Sequence, residues 1–145
     1  MTLICDAAPL VALADKDDPR RGHLLELMRH EPGDLILPAQ VAAEVDYMLG
    51  VRLGQAARRA FLEDLAARRY EVACLAPSDY ATVASLDARY ADLGVGLSDC
   101  AVAVLAARFD TLRILTFDER DFRPIEPLQG GAFQLLPADD SRPAQ

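Results

Sequence analysis

Short apolar runs and longer stretches with helical periodicity alternate along most of the chain. The apolar runs are typical of buried strands and lie near residues 2–6, 35–37, 70–75, 112–117 and 133–136. The stretches between them predict helices near residues 9–14, from 19, from 38, and at 55–68, 77–93 and 97–107. We also expect Asp79 to cap a helix and a turn to form around Asp121. Such alternation predicts an α/β fold with a short, mostly parallel sheet of about five strands flanked by helices.

Length and composition indicate one domain. The chain has 145 residues, of which 52% are hydrophobic, and a chain of this size buries a substantial core. We expect residues 1–137 to form the domain and residues 138–145 to form a flexible C-terminal tail. No run approaches the ~20 apolar residues of a membrane helix. Because the N-terminus also lacks the features of a secretory signal, we expect a cytoplasmic protein with no membrane partner.

The cysteines fit a reduced protein. Cys5, Cys74 and Cys100 all have apolar neighbours, and their spacing is not that of a metal site. We therefore expect them to be small residues of the core.

Two carboxylates directly follow predicted strands. Asp6 follows the apolar run at residues 3–5, and Asp118 follows the run at 112–117. In an open α/β sheet, ligands bind at the carboxyl ends of the strands. Each residue also has a simpler explanation, since Asp6 could cap the next helix and Asp118 could form a turn.

Two further carboxylates belong to predicted helices. Glu44 shares a predicted helix face with Val41, Val45 and Met48, and a lone acid on an apolar face is costly unless it is paired or ligated. A position at the boundary of that face is the alternative. Asp99 stands in the first turn of an otherwise apolar helix, for which Ser98 is a good N-cap. The helix dipole alone favours an acid there.

Together the four acids are harder to explain as separate structural residues. At ~7 Å spacing and an effective dielectric constant near 20, six pairs would repel by about 14 kcal/mol, which is comparable with the ~5–15 kcal/mol stability of a domain. Such a cluster must take up protons or hold a cation. Oxygen ligands select Mg²⁺ or Mn²⁺, and His23 and His30 lie on a helix away from the strand ends. Sites of this kind suit hydrolysis of phosphodiesters by water.

Four segments, in this order, resemble the PIN domain and, more closely, the VapC-type toxins of bacterial toxin–antitoxin pairs. They are DAAPLVALAD from Asp6, PAQVAAEVDYML around Glu44, LGVGLSDCAVAVLAARF around Asp99 and ILTFDERDF around Asp118. The resemblance extends over about residues 2–136. It implies a PIN-like three-layer fold and a metal-dependent endoribonuclease. In the family, the residues matching Asp6 and Asp99 bind the Mg²⁺ or Mn²⁺ ion most directly, and those matching Glu44 and Asp118 complete the catalytic site.

The resemblance also implies partners. The substrate would be RNA, and a cognate antitoxin would hold the enzyme inactive. Such toxins commonly form homodimers, and DNA is bound only indirectly, through the antitoxin. Thr116 matches a hydroxyl position beside the last acid. Ala8 departs from the family, in which Ser or Thr often stands two residues after the first Asp.

The charge of the chain bears on how RNA would bind. A net charge of −8 argues against loose, non-specific binding to nucleic acid. Fourteen of the fifteen basic residues are Arg, which suits bidentate phosphate contacts, although a GC-rich genome also favours Arg. Seven arginines are candidate phosphate contacts without being assigned to the site: Arg20, Arg21, Arg52, Arg58, Arg59, Arg120 and Arg123.

Three other classes of protein have acidic pockets or related scaffolds. A phosphoacceptor receiver domain would need paired acids after its first strand and a late lysine, but Ala7 follows Asp6 and Lys16 is the only lysine. A haloacid-dehalogenase-type phosphatase would need a second Asp where Ala8 stands. The remaining alternative is a catalytically inactive PIN-like module that binds a protein partner.

Overall fold

The computed structural model describes residues 2–142 and contains one parallel sheet. Its five strands run in the order β3-β2-β1-β4-β5, and every neighbouring pair is parallel. The strands are β1 (Leu3–Cys5), β2 (Leu35–Pro38), β3 (Glu71–Ala73), β4 (Arg113–Leu115) and β5 (Gln134–Leu136).

Helices occupy the connections between the strands, because parallel strands need crossover connections, which are usually helical. They are α1 (Ala7–Ala14), α2 (Arg21–Arg29), α3 (Ala39–Arg52), α4 (Gln55–Ala66), α5 (Asp79–Arg89), α6 (Leu97–Arg108) and α7 (Glu119–Phe122), with a short 3₁₀ helix at Ala91–Leu93. The predicted fold of a five-stranded, mostly parallel sheet flanked by helices is confirmed.

The centre of the sheet explains where a site forms. All three residues of β1 are buried, and β1 lies between β2 and β4. The chain passes from β1 to β2 on one side, whereas β4 pairs with β1 on the other side. This change of direction leaves a crevice beyond the carboxyl ends of β1 and β4, which is where open α/β sheets bind ligands.

Helix α6 forms much of the core. Its residues from Cys100 to Ala106 are all buried, and the helix packs against β1, β2, β4, α3 and α5. An apolar helix held on several sides has little freedom to move. It therefore fixes its own first turn, which contains Asp99, relative to the end of β1.

Three local predictions were wrong. Gly96, not Ser98, is the N-cap of α6, and no side chain caps this helix. The turn expected around Asp121 is the short helix α7. Cys74 is exposed, whereas Cys5 and Cys100 are buried as expected.

The predicted boundary between domain and tail, at residue 137, stays a prediction. Just beyond it, the Asp139 carboxylate accepts hydrogen bonds from the Leu135 amide and from Arg123. Residues 143–145 of the predicted tail lie outside the described residues. Within residues 2–142, no helix is long and apolar enough to cross a membrane.

Candidate active site

A cavity of about 560 Å³ lies at the carboxyl end of β1 and β4. All four predicted carboxylates line it: Asp6 after β1, Glu44 on α3, Asp99 on α6 and Asp118 before α7. We call it the acidic cavity. Its remaining lining residues are Ala7, Ala8, Met48, Gly96, Leu97, Ser98 and Phe117. Side chains up to 112 residues apart in sequence therefore face one space.

Asp6 is fixed by the two central strands. Its amide donates a hydrogen bond of 2.9 Å to the Leu115 carbonyl, which extends the β1–β4 pairing by one residue. Asp6 occupies the N-cap position of α1, as the alternative explanation had it, but its side chain makes no capping hydrogen bond there. Burial raises the pKa of Asp6, and the Thr116 hydroxyl and the Ala7 amide lower it, while the charge of Asp118 adds to the rise.

Thr116 links two of the acids. The residue is 1% exposed, and its hydroxyl donates a hydrogen bond of 2.7 Å to Oδ2 of Asp6. The same hydroxyl oxygen accepts a hydrogen bond of 2.9 Å from the Asp118 amide. Since the Thr116 amide donates to the Leu136 carbonyl, three strands of the sheet hold this hydroxyl in place.

Asp99 lies in the first turn of α6, where the unpaired amides and the helix dipole favour a charged carboxylate. Opposing effects are larger. Burial, followed by the charges of Asp6, Asp121, Asp118 and Glu44, raises the pKa of Asp99 to about 7. The acids of the cavity are thus close enough to repel one another, and Asp99 holds a proton at mildly acidic pH.

The predicted position of Glu44 within an apolar helix face was wrong. The buried residues of α3 are Val41, Val45 and Leu49, whereas Glu44 is exposed and Met48 is half-buried. Glu44 stands at the edge of the buried face and borders the acidic cavity. This is the boundary position left open as the alternative, and it accounts for an unpaired acid without a desolvation cost.

A fifth acid, Asp121, was missed by the sequence analysis. Its amide donates a hydrogen bond of 3.1 Å to Oδ1 of Asp118. Burial, then the hydrogen bond and charge of Asp118, raise the pKa of Asp121, and its own charge contributes to the rise at Asp99. The sequence feature that could have identified Asp121 is its position three residues after Asp118, because this spacing brings side chains together on a helix.

The seven candidate arginines lie outside the wall of the acidic cavity. None of the seven lines it, nor does His23, and no Lys, Arg or His is found among the described residues of its wall. Arg20 stacks on Phe117, which does line the cavity, with the guanidinium carbon 4.1 Å from the ring centre. Arg58 pairs with Asp46.

The donor set of the cavity suits a hard divalent cation. The charged groups of its wall are all carboxylates, which offer oxygen donors. After burial, which is the largest cause, the negative charges of neighbouring acids also raise the pKa values of Asp6 and Asp99. The set is open in this conformation, because no three acid, His or Cys side chains within residues 2–142 are close enough to hold a metal ion. The carboxylates surround the cavity without closing on one point.

Known proteins share this architecture. The chain matches the PIN domain family over residues 3–126. It is 33% identical over 135 residues to ribonuclease VapC26 of Mycobacterium tuberculosis (strain ATCC 25618 / H37Rv), with 93% of this chain and 100% of that protein covered.

Two solved structures have the same fold. VapC20 of Mycobacterium tuberculosis, a toxin that cleaves the sarcin–ricin loop, has a TM-score of 0.74 and 17% identity, covering 80% of this chain and 89% of that chain. VapBC2 from Rickettsia felis, bound to a DNA fragment from its promoter, has a TM-score of 0.68 and 18% identity, and the match covers 93% of this chain and 98% of that chain. The sequence match extends over nearly the whole chain, and the resemblance noted from the four acidic segments is confirmed: this chain belongs to the PIN domain family and is a relative of the VapC ribonucleases.

Proposed function

We propose that this chain is a metal-dependent endoribonuclease toxin that hydrolyses phosphodiester bonds of RNA with water. The observation that carries the proposal is the acidic cavity, in which Asp6, Glu44, Asp99 and Asp118 from four separate elements face one space. Such a wall repels RNA phosphates unless its charge is offset. The likeness to VapC26, which is a ribonuclease, supports RNA as the substrate.

The four carboxylates are the proposed catalytic residues and metal ligands. Asp6 and Asp99 would hold Mg²⁺ or Mn²⁺ most directly, and Glu44 and Asp118 would complete the set. When bound, the ion would lower the pKa of a water molecule and offset charge on the phosphate. Thr116 keeps the Asp6 carboxylate turned to the cavity, because its hydroxyl fixes Oδ2. Ser98 lines the cavity too and supplies a hydroxyl that is absent at Ala8.

The proposed partners follow the same family. We propose that a cognate antitoxin inhibits the enzyme in the cytoplasm, that the chain forms homodimers, and that DNA contacts occur only through the antitoxin. The VapBC2 structure is bound to a fragment of its promoter, which supports an antitoxin partner and contact with DNA. An inhibitory segment with a basic residue would find complementary charge in the acidic cavity.

Cleavage of RNA tests the proposal. Wild-type protein with Mn²⁺ should cut total RNA, and Asp6→Asn and Asp99→Asn should each abolish cleavage while the fold is retained. Glu63→Gln is a suitable control, since Glu63 is exposed on α4 and does not border the cavity. Wild-type protein that leaves total RNA intact under these conditions would contradict the enzyme proposal.

A thermal melt separates the enzyme from a catalytically inactive binding module. After chelation, added Mg²⁺ or Mn²⁺ should raise the melting temperature of the wild-type protein, because a ligand that binds only the folded state stabilises it by mass action. The shift should shrink in Asp99→Asn. An inactive scaffold would show no shift in either protein.

A further inference from the structure

A second cavity, of about 530 Å³, adjoins the acidic cavity. We call it the Arg20 cavity. Phe117 lines both cavities, and Thr116 lines the second one while its hydroxyl donates to Asp6. An occupant of the Arg20 cavity would therefore lie within one side chain of the proposed catalytic carboxylates.

Half of the eight residues that line the Arg20 cavity are apolar. Pro19, Phe117, Pro137 and Ala138 provide the apolar surface. An aromatic and apolar surface beside hydrogen-bond donors and acceptors is the combination by which proteins hold an unstacked base of single-stranded RNA.

Two contacts orient the Arg20 side chain, which is otherwise half exposed. Its Nε and Nη2 donate to the two oxygens of Asp18 at 3.0 and 2.7 Å, and its guanidinium carbon stands 4.1 Å from the centre of the Phe117 ring. The pair with Asp18 does not use Nη1. Since a guanidinium plane is a stacking surface for bases, the structure presents a layered platform of Phe117 and Arg20 with donors still available at its edge.

The charges of this cavity favour a base over a phosphate. Asp18 offsets the charge of Arg20, and Arg123 donates to Oε1 of Glu119 at 2.7 Å. The Arg20 cavity thus offers donors from Arg20 and acceptors from Glu119 without a net positive charge, and His23 adds a ring nitrogen that serves in either role. The edge of a nucleobase carries donors and acceptors side by side and no charge.

We propose that the Arg20 cavity binds one nucleobase of the RNA strand, next to the phosphate positioned for hydrolysis, and so contributes to the choice of cleavage site. This inference rests on the proposed ribonuclease function for its substrate. It assigns Arg20 a stacking role instead of the phosphate contact considered from the sequence.

The first experiment measures binding without catalysis. Metal-free, isotope-labelled protein is titrated with the four nucleoside 5′-monophosphates and, separately, with inorganic phosphate, and amide resonances are followed by NMR. We expect the monophosphates to shift the His23, Phe117 and Glu119 amides with unequal affinities, and inorganic phosphate to leave them in place. Equal shifts with inorganic phosphate, or no shifts near this cavity, would overturn the proposal.

The second experiment measures cleavage with Arg20→Gln and Arg20→Lys. Loss of one base stack should cost both variants about 5- to 150-fold in kcat/KM and weaken their preference for the flanking base. Arg20→Lys keeps the positive charge but loses the planar guanidinium group. If this variant retained the kcat/KM of the wild-type protein, Arg20 would contact a phosphate and not a base. Arg29→Gln is the matched control, because Arg29 is exposed on the same helix and pairs with nearby Glu26.

The two proposals fail in different ways. If wild-type protein cuts RNA but the Arg20 variants keep both rate and base preference, the proposal that the Arg20 cavity binds a base is wrong and the proposed ribonuclease function is supported. If wild-type protein never cuts RNA yet nucleotides shift the amides of the Arg20 cavity unequally, the proposed ribonuclease function is wrong and base binding by the Arg20 cavity is supported.

Discussion

The Thr116 hydroxyl donates a hydrogen bond of 2.7 Å to Asp6, a residue 110 positions earlier in the chain. The contact joins the ends of β4 and β1, the two strands that flank the crevice of the sheet. It orients one proposed metal ligand from a position that is itself buried. The orientation of the Asp6 carboxylate in the acidic cavity therefore depends on the pairing of β1 with β4.

Replacing Thr116 by Val should damage activity more than stability. Val removes the donor to Asp6 and the acceptor of the Asp118 amide, and loss of a group that orients a ligand typically costs about 10–100-fold in metal affinity or activity. The free energy of unfolding should fall by about 1–3 kcal/mol. Cleavage rates and urea unfolding measure the two effects, and Thr116→Ser should retain most of both.

Thr111→Val is the matched control for that variant. Thr111 is also buried, precedes the same strand, and donates to the Thr2 carbonyl at the opposite end of the sheet. It should lose stability by a similar amount and keep the cleavage rate. Equal loss of activity in both variants would mean that Thr116 acts only through the fold.

Asp99 should make the metal-free protein less stable as the pH rises from about 4 to about 7. Its pKa is about 7 in the folded protein and 3.8 ordinarily, so in this range the folded state holds a proton that the unfolded chain has released. Stability falls wherever the folded state binds more protons, and levels off above pH 7. Urea unfolding of wild-type and Asp99→Asn protein at several pH values should show a difference that changes across this window.

Asp18→Asn provides the opposite case for the same measurement. Hydrogen bonds from Arg20 lower the pKa of Asp18 to about 2, so Asp18 contributes stability above pH 4 that is lost as the pH falls towards 2. Between pH 4 and 7 its effect should be constant. A constant difference for Asp99→Asn as well would show that the acidic cavity does not perturb Asp99.

Hydrophobic patterning predicted all five strands and their order along the chain with helices α1 to α6, because short apolar runs such as Leu35–Pro38 are strong local signals. It did not predict that β1 lies between β2 and β4. That order depends on contacts between distant segments, which no local pattern records. The four acids were recognisable because Asp6 and Asp118 follow strands directly, whereas the hydrogen bond between Thr116 and Asp6 needs the pairing of β1 and β4.

The errors have local causes. Met48 was counted as part of a buried face, but its side chain borders the acidic cavity, and the true buried face includes Leu49. Because of this error, Glu44 was predicted to lie in the middle of the buried face, whereas it lies at the edge. Helix α7 has four residues, too few for periodicity to reveal, so Asp121 was assigned to a turn.

Arg113→Met should destabilise the protein strongly without a direct effect on catalysis. Arg113 donates two hydrogen bonds of 2.7 Å to the Glu31 carboxylate, whose side chain is 2% exposed. Removing one partner of a buried pair costs about 3–5 kcal/mol. Urea unfolding measures the loss, and a double variant that also carries Glu31→Met should recover most of it. A loss that persists in the double variant would show that packing, not the unpaired charge, is responsible.

Asp79→Ala should lower stability and leave RNA cleavage unchanged. Asp79 was expected to cap a helix, but Ser78 is the N-cap of α5, and Oδ2 of Asp79 instead accepts a hydrogen bond of 2.6 Å from the Ala76 amide and pairs with Arg108. Hydrogen bonds to a charged group contribute about 1.5–3 kcal/mol, so unfolding free energy should fall by that amount in urea. Asp87→Ala, an exposed change on the same helix, should have no effect, and loss of cleavage by folded Asp79→Ala protein would mean that the α5–α6 contact helps to position Asp99.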